Sequence, residues 1–178
     1  MTELNKAYEK MGRLNEELYK PIIQEALGKV VKTEFKYARI DFYGVDYMGE
    51  LKSRDCWLYS FDTQMIGYNK IVEGFRVLDW YENHMPNYKV YMFFGLKDGL
   101  YSWELNKENY ELNGGDSKKK LGGTSKRGRD DFKEHYYIQS KYLKKVSDIG
   151  CIVPKEVSDN NKQYSYSSLP KGVCLLKI

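Results

Sequence analysis

The sequence predicts an α/β domain with a mixed central sheet flanked by helices, and three observations carry that reading. Residues 3 to 27 place apolar side chains at steps of three and four, the spacing of a helix face. From Val30 the pattern changes to short aromatic and β-branched runs broken by glycine, the pattern of strands. A second helical spacing, Ile71, Val72, Phe75 and Leu78, falls between strand runs. At 178 residues the chain fits one domain, and a hydrophobic fraction of 42% is enough for a core, which excludes wholesale disorder.

The first helix carries Leu4, Ala7, Tyr8, Met11, Leu14, Leu18 and Ile22 on one stripe. Pro21 is expected to kink or restart it, and Gly28 to cap it. Val30, Val31, Phe35, Tyr37, Ile40, Phe42 and Tyr43 predict strand up to Gly44. Residues 47–53 predict the returning arm of a hairpin, and 56–61 a third, aromatic strand. The next helix is expected to end near His84 and Pro86. Strands over 88–94 and 100–105 are joined by Lys97-Asp98-Gly99, a turn signal.

Residues 113 to 129 hold five glycines and six Lys or Arg with almost no apolar side chain, which predicts a solvated, mobile loop at about 113–130. A short helix is expected over 132–146, and edge strands over 151–153 and 173–178. Trp57, Trp80 and Trp103 sit inside periodic segments and are expected in the core. His84 and His135 stand alone and read as structural or surface residues.

Composition narrows the function classes. Cys56, Cys151 and Cys174 are odd in number, far apart and without a CxxC pair. That argues against a disulfide framework or zinc knuckle and for a reducing compartment. The start lacks an apolar signal core, and the longest apolar run, Val90 to Phe94, is far too short for a bilayer. The expectation is a cytoplasmic protein without a membrane partner. A net charge of +4 is compatible with nucleic acid without indicating it. No Walker, GxSxG or dinucleotide motif occurs.

The stretch from Ile40 to Arg54 carries the chemistry. Strand side chains alternate faces, so Glu50 and Lys52 point one way with Leu51 opposite. Asp41, one hairpin arm earlier, can reach the same end of the sheet. Two carboxylates and an ammonium then converge, and hard oxygen ligands suit magnesium or manganese. The Leu51 carbonyl can add a further ligand. A divalent metal held there polarises a phosphate and orients a water. Lys52 is placed to position that water or offset developing charge. The ordinary alternative is an exposed strand with cross-strand ion pairs.

Those residues, in that order, resemble the PD-(D/E)XK nuclease superfamily, with Asp41 as the lone acid and Glu50-Leu51-Lys52 as the (D/E)XK element. The resemblance is closer to small nuclease-like proteins of large DNA viruses and phages. It rests on Gly12 to Glu16, Asp41-Phe42, Glu50-Leu51-Lys52-Ser53-Arg54, Ile66-Gly67-Tyr68-Asn69-Lys70 and Asp98-Gly99-Leu100-Tyr101, and spans roughly residues 10 to 105. Ile40 stands where a proline usually precedes the first acid.

The resemblance implies a restriction-endonuclease-like core and metal-dependent hydrolysis of DNA, endo- or exonucleolytic, with RNA not excluded. It implies that Glu16 completes a metal site of Asp41, Glu50 and Leu51, and that Lys70 contacts phosphate beside it, with Gln64 assisting. Helical arithmetic instead puts Glu25 on the apolar face, so Glu16 and Glu25 both stand as the helix acid. Lys118, Lys119, Lys120, Lys126, Arg127 and Arg129 are expected to hold the nucleic-acid backbone. A homodimer suits double-strand cutting. The competing classes are a non-catalytic nucleic-acid-binding module on the same fold and a virion or interaction protein. Removing Asp41 or Glu50 is expected to leave the fold intact, because clustered carboxylates repel.

Overall fold

The computed structural model describes residues 3–33, 40–123, 132–154 and 164–165. In chain order these form α1 (Glu3–Leu27), β1 (Val30–Lys32), β2 (Phe42–Gly44), β3 (Tyr47–Ser53), β4 (Thr63–Gly67), α2 (Tyr68–Tyr81), β5 (Lys89–Leu96), β6 (Gly99–Leu105) and α3 (Lys107–Asn113). They continue with β7 (Lys119–Gly123), β8 (Phe132–Gln139), β9 (Lys144–Ser147), β10 (Val153–Pro154) and β11 (Tyr164–Ser165). The class is mixed α/β, as the sequence predicts.

The main sheet has the order β1-β2-β3-β5-β6-β9. Every neighbouring pair is antiparallel except β3 and β5. Parallel neighbours need a crossover, and here β4 and α2 supply it. A second sheet, β4-β8-β7, and a short β10-β11 pair complete the topology.

Two apolar layers sandwich the main sheet. On one face, Tyr19 and Ile23 of α1 pack on Val30, Phe42, Tyr47, Leu51, Phe93 and Leu100. On the other, Ile71 of α2 meets Met48, Val90, Met92 and Phe94, with Ile66, Tyr136 and Ile138 of the small sheet. Alternate residues of β3 therefore serve opposite layers, so the Met48–Glu50–Lys52 row lies on the α2 side. Gly74 lets α2 come close: a Cβ there would stand 2.4 Å from the Leu105 side chain.

Helix α1 is continuous through Pro21, so the expected kink does not end it. Its buried stripe is Met11, Asn15, Tyr19 and Ile23, at four-residue steps; Leu14, Leu18 and Ile22 flank it. Asn15 is missing from the apolar reading because it is polar, yet it is fully buried. Its Nδ2 donates to Ile152 O at 2.9 Å and its Oδ1 accepts from Ile152 N at 2.7 Å. One side chain thus replaces a neighbouring strand for the segment after β9. Gly28 caps the helix as expected, with φ 93° and its N–H on Gln24 O.

Several expected elements are corrected. Residues 56–61 form no strand; Leu58–Ser60 is a 3-10 turn anchored by buried Leu58, with Trp57, Tyr59 and Phe61 outward. Aromatic alternation suggests a strand, but the Leu58 N–H goes to the Asp98 carboxylate rather than to a ladder. Residues 132–146 form β8, a 3-10 turn and β9, not a helix. Tyr136 and Ile138 are buried at period two, a signal that the polar residues around them obscure. Strand β4 and helix α3 are absent from the sequence reading. Helix α3 nevertheless has a readable start, Asn106 accepting from Asn109 N, and a left-handed stop at Gly114.

The loop expected at 113–130 is built in as far as Gly123, as a 3-10 turn and β7 paired with β8. Its remainder, Phe35, Tyr37, Cys174 and the strand expected at 173–178 lie outside the described residues. Trp103 is buried, but Trp57 and Trp80 are exposed, so two of the three expected core tryptophans are on the surface. Cys56 and Cys151 are both reduced thiols. No helix among the described residues is long and apolar enough to cross a membrane.

Replacing Asn15 with Leu keeps the volume but leaves the Ile152 N–H and C=O buried without partners. We expect a loss of about 2–4 kcal/mol, read as a lower denaturant midpoint in urea unfolding.

Candidate functional site

The site grows from the β2–β3 hairpin. The register pairs Phe42 with Gly49 and Tyr43 with Met48. Continued by one residue, it sets Asp41 across from Glu50 on the α2 face of the sheet. The Asp41 main chain is clamped from β1, its carbonyl accepting from Thr33 N at 2.9 Å and Thr33 Oγ1 at 2.8 Å. Its carboxylate Oδ2 accepts from Leu51 N at 2.8 Å. A strand residue turns its N–H and C=O to the same side, so the Leu51 carbonyl also faces Asp41.

Glu50 is 1% exposed, an extreme position for a carboxylate. Both of its oxygens are satisfied. Oε1 lies 2.5 Å from Lys52 Nζ, and Oε2 lies 2.9 Å from Lys70 Nζ. Lys52 comes from two residues along β3, and Lys70 from the first turn of α2. The βαβ crossover sets α2 antiparallel to β3, which delivers the first turn of the helix to Glu50 in the middle of β3 and Lys52 just beyond it.

The electrostatics follow from this crowding. Burial and the adjacent Glu50 charge push the Asp41 carboxyl up to about 7; Lys52 and the Leu51 N–H offset part of that, and Glu16 adds to it. Burial acts to lower the Lys52 ammonium, but Glu50 and Asp41 outweigh it and the net shift is upward.

Glu16 on α1 is therefore close enough to act on Asp41, while Glu25 lies on the exposed side of the helix. The stripe through Met11, Asn15, Tyr19 and Ile23 explains why: Glu16 borders it on one flank and Glu25 falls on the other. Glu16 Oε2 sits 3.2 Å from Lys32 Nζ, which also holds Glu17 at 2.6 Å. Lys32 lies two residues after Val30 on β1, and so shares the α1-facing side that Val30 buries.

The remaining predicted residues divide. Gln64 is buried and turned to the Leu58 carbonyl, a structural bond rather than a place beside Asp41. Lys119 pairs with Glu134 at 2.8 Å and lies over the Tyr68 ring; Lys120 lies over Tyr137. Lys118 ends the 3-10 turn after α3. Lys126, Arg127 and Arg129 lie outside the described residues. Arg54, next along the motif, is drawn inward and donates to the Met65 carbonyl; its Nε and the Ser53 Oγ are buried without hydrogen-bond partners.

No protein-family profile, curated protein or solved structure matches the chain. The chemistry of the site is therefore argued from its own atoms. Among the described residues, no group of three or more His, Cys, Asp and Glu is set to hold a metal ion. The donor set is instead a pair of carboxylates, Asp41 and Glu50, with the Leu51 carbonyl beside them. Hard oxygens of this kind fit magnesium or manganese. Two ammonium groups now occupy Glu50, so binding a dication there requires one of them to release an oxygen.

The Asp41 shift has a measurable consequence. Its folded-state value of about 7 exceeds the ordinary 3.8, so between these limits the folded chain holds the extra proton. The contribution to stability is full below about pH 4 and lost as pH rises through about 7. In chelator, the melting temperature is expected to fall by a few degrees from about pH 5 to about pH 8, and Asp41→Asn to flatten that fall. An equal slope in both proteins would remove Asp41 as its source.

Proposed function

We propose that the protein is a metal-dependent nuclease that hydrolyses DNA phosphodiester bonds, built on a restriction-endonuclease-like core. The observation that carries the reading is the meeting of Asp41, Glu50, Lys52 and Lys70 on one sheet face, with the Asp41 carboxyl strongly perturbed. The order α1, then β1, β2 and β3 of the main sheet, then β4, α2 and β5, with the acids on the β2–β3 hairpin, supports it further.

In this reading Asp41, Glu50 and the Leu51 carbonyl would hold magnesium or manganese, with Glu16 approaching from α1. The ion supplies charge neutralisation and an acidified water. Lys52, released from Glu50, orients the attacking water and stabilises charge gathering on the phosphate. Lys70 contacts a non-bridging phosphate oxygen from the α2 terminus. Lys118, Lys119, Lys120, Lys126, Arg127 and Arg129 contribute backbone affinity without base readout.

A second reading, a nucleic-acid-binding module without catalysis, is favoured by one observation: Glu50 is fully engaged by two lysines. The two readings separate on plasmid, linear and single-stranded DNA incubated with magnesium, manganese or chelator. The nuclease cleaves only with metal; the module binds equally well in chelator and never cleaves.

We expect Asp41→Asn and Glu50→Gln each to lower metal-dependent cleavage by roughly a hundredfold or more. The fold should respond differently to the two sites. Glu50→Ala strands two ammonium groups and costs stability, by about 1–3 kcal/mol in urea unfolding, contrary to the simple repulsion argument. Wild-type cleavage in both acid variants would place the chemistry elsewhere.

Replacing the six loop cations with alanine should weaken DNA binding. It should also flatten the salt dependence by roughly 0.7 to 0.9 log units for each phosphate no longer neutralised. Lys119, already paired with Glu134, should contribute least. Superimposable salt slopes would exclude the loop from the interface.

A further inference from the structure

A concavity lies on the same sheet face as Asp41 and Glu50. It is a cleft of about 280 Å³ lined by Tyr43, Met48, Trp80, Tyr81 and Tyr88, with Arg76 at its rim. That volume falls just below the range of drug-sized sites and suits a single planar ring system. Its position follows from the backbone. Tyr43 is two residues beyond Asp41 on the hairpin, and Met48 two residues before Glu50 on β3. Each step is about 6–7 Å along a strand. On the helix side, Lys70 opens α2, and Arg76, Trp80 and Tyr81 follow towards its other end. The aromatic cleft and the acid–lysine centre are thus built on the same three elements, β2, β3 and α2, the centre at the start of α2 and the cleft towards its other end.

The cleft is rigid where it needs to be and open where a ligand would lie. Tyr81 and Tyr88 stack with centroids 4.0 Å apart and planes 12° apart. Trp80 meets Tyr81 edge-on at 4.6 Å and stacks on His84 at 5.3 Å. Yet Trp80 is 63% exposed, and Tyr43 is also on the surface. Exposure of a tryptophan held between aromatic neighbours is not explained by packing, because burying it would gain apolar contact.

Arg76 is the cation in the lining of the cleft. Arg76 is exposed and bound to Glu73 at 2.6 and 3.2 Å, a surface pair that a phosphate can displace at little cost. Lys52 and Lys70 stand at the acid–lysine centre. Acids also stand near the cleft, Asp46 beside Tyr88, Glu73 on Arg76, and Asp79 and Glu82 flanking Trp80 and Tyr81 in sequence, so its surroundings are mixed in charge.

We infer that the cleft is a subsite for one unpaired nucleobase, belonging to a nucleotide adjacent to the phosphate at the acid–lysine centre. The substrate class is then a single-stranded or locally unpaired nucleic acid. This deepens the nuclease reading and rests on it for the location of the phosphate. A base within a duplex has its faces covered by its neighbours and cannot enter; an unpaired base offers both faces to Trp80 and the tyrosines. Aromatic stacking is indifferent to base identity, so the subsite selects strandedness rather than sequence.

The test is binding in chelator, which keeps it independent of cleavage. Labelled single-stranded DNA, the matching single-stranded RNA, duplex DNA and an abasic strand are titrated with wild type, Trp80→Ala and Trp80→Phe. Thermal melts check that both variants fold, as expected for an exposed side chain. Trp80→Ala should weaken single-strand binding by roughly five- to hundredfold, and Trp80→Phe should retain most of the affinity. Binding to duplex and to the abasic strand should be the same in all three proteins. Dependence on Trp80 with either sugar supports the subsite, and the tighter strand names the substrate. The inference is overturned if Trp80→Ala binds single strands as wild type does. It is equally overturned if the loss is as large on duplex or abasic strands, or if wild type binds no single strand. Intact Trp80-dependent binding without cleavage in magnesium would remove the hydrolytic reading alone. Cleavage indifferent to Trp80, with unchanged single-strand affinity, would remove the subsite alone.

Discussion

A carboxylate with 1% exposure cannot remain charged without partners, and Glu50 takes one from its own strand and one from the following helix. Lys52 reaches back along β3, while Lys70 reaches down from the first turn of α2. The ion pair therefore ties the start of α2 to the middle of β3. Gly74 lets the rest of the helix lie close against β5 and β6. Once both constraints hold, the direction and depth of α2 are set. The acid–lysine centre at one end of the helix and the aromatic cleft at the other are consequences of that one placement.

The same crowding makes the centre responsive to cations. Asp41 sits beside Glu50, with burial and like charge both opposing its ionisation. Two lysines relieve Glu50, while Asp41 has one backbone N–H and a shared field from Lys52. Carboxylates held this close are poised to accept further positive charge, whether a proton, a dication or an ammonium. The arrangement costs stability at neutral pH in a place where a solvated pair would cost nothing. Such local conflict between charge and burial is a feature that functional sites share with structural ion-pair networks.

The opposite layer has no such tension. Tyr19, Ile23, Phe42, Phe93 and Leu100 pack α1 on the sheet, and Asn15 fastens the segment around Ile152. Glu16, which borders the buried stripe of α1, adds its charge to the field at Asp41. The molecule thus divides into a face that holds the fold and a face that holds the charged centre. Strand β3 serves both through the alternation of its side chains.

What the sequence determined alone was local. Helix α1 ends at Leu27 with Gly28 as its cap, and β3 spans Tyr47–Ser53, because stripe period, glycine chemistry and strand alternation act within a few residues. Glu50 and Lys52 share a face for the same reason. The tertiary structure alone decided which polar residues were buried: Asn15 is claimed by the distant Ile152 backbone, and Gln64, expected beside phosphate, turns to the nearby Leu58 carbonyl instead. It also decided that 132–139 is a strand, because β4 and β7 on either side supply a ladder that outweighs its mixed composition. Trp57 and Trp80 lie in stretches whose spacing suggests burial, yet both are exposed, because periodicity says that a face is apolar and not whether anything covers it. The pairing of Lys70 with Glu50, twenty residues apart, depends on the crossover between two parallel strands, and no local pattern encodes that distance.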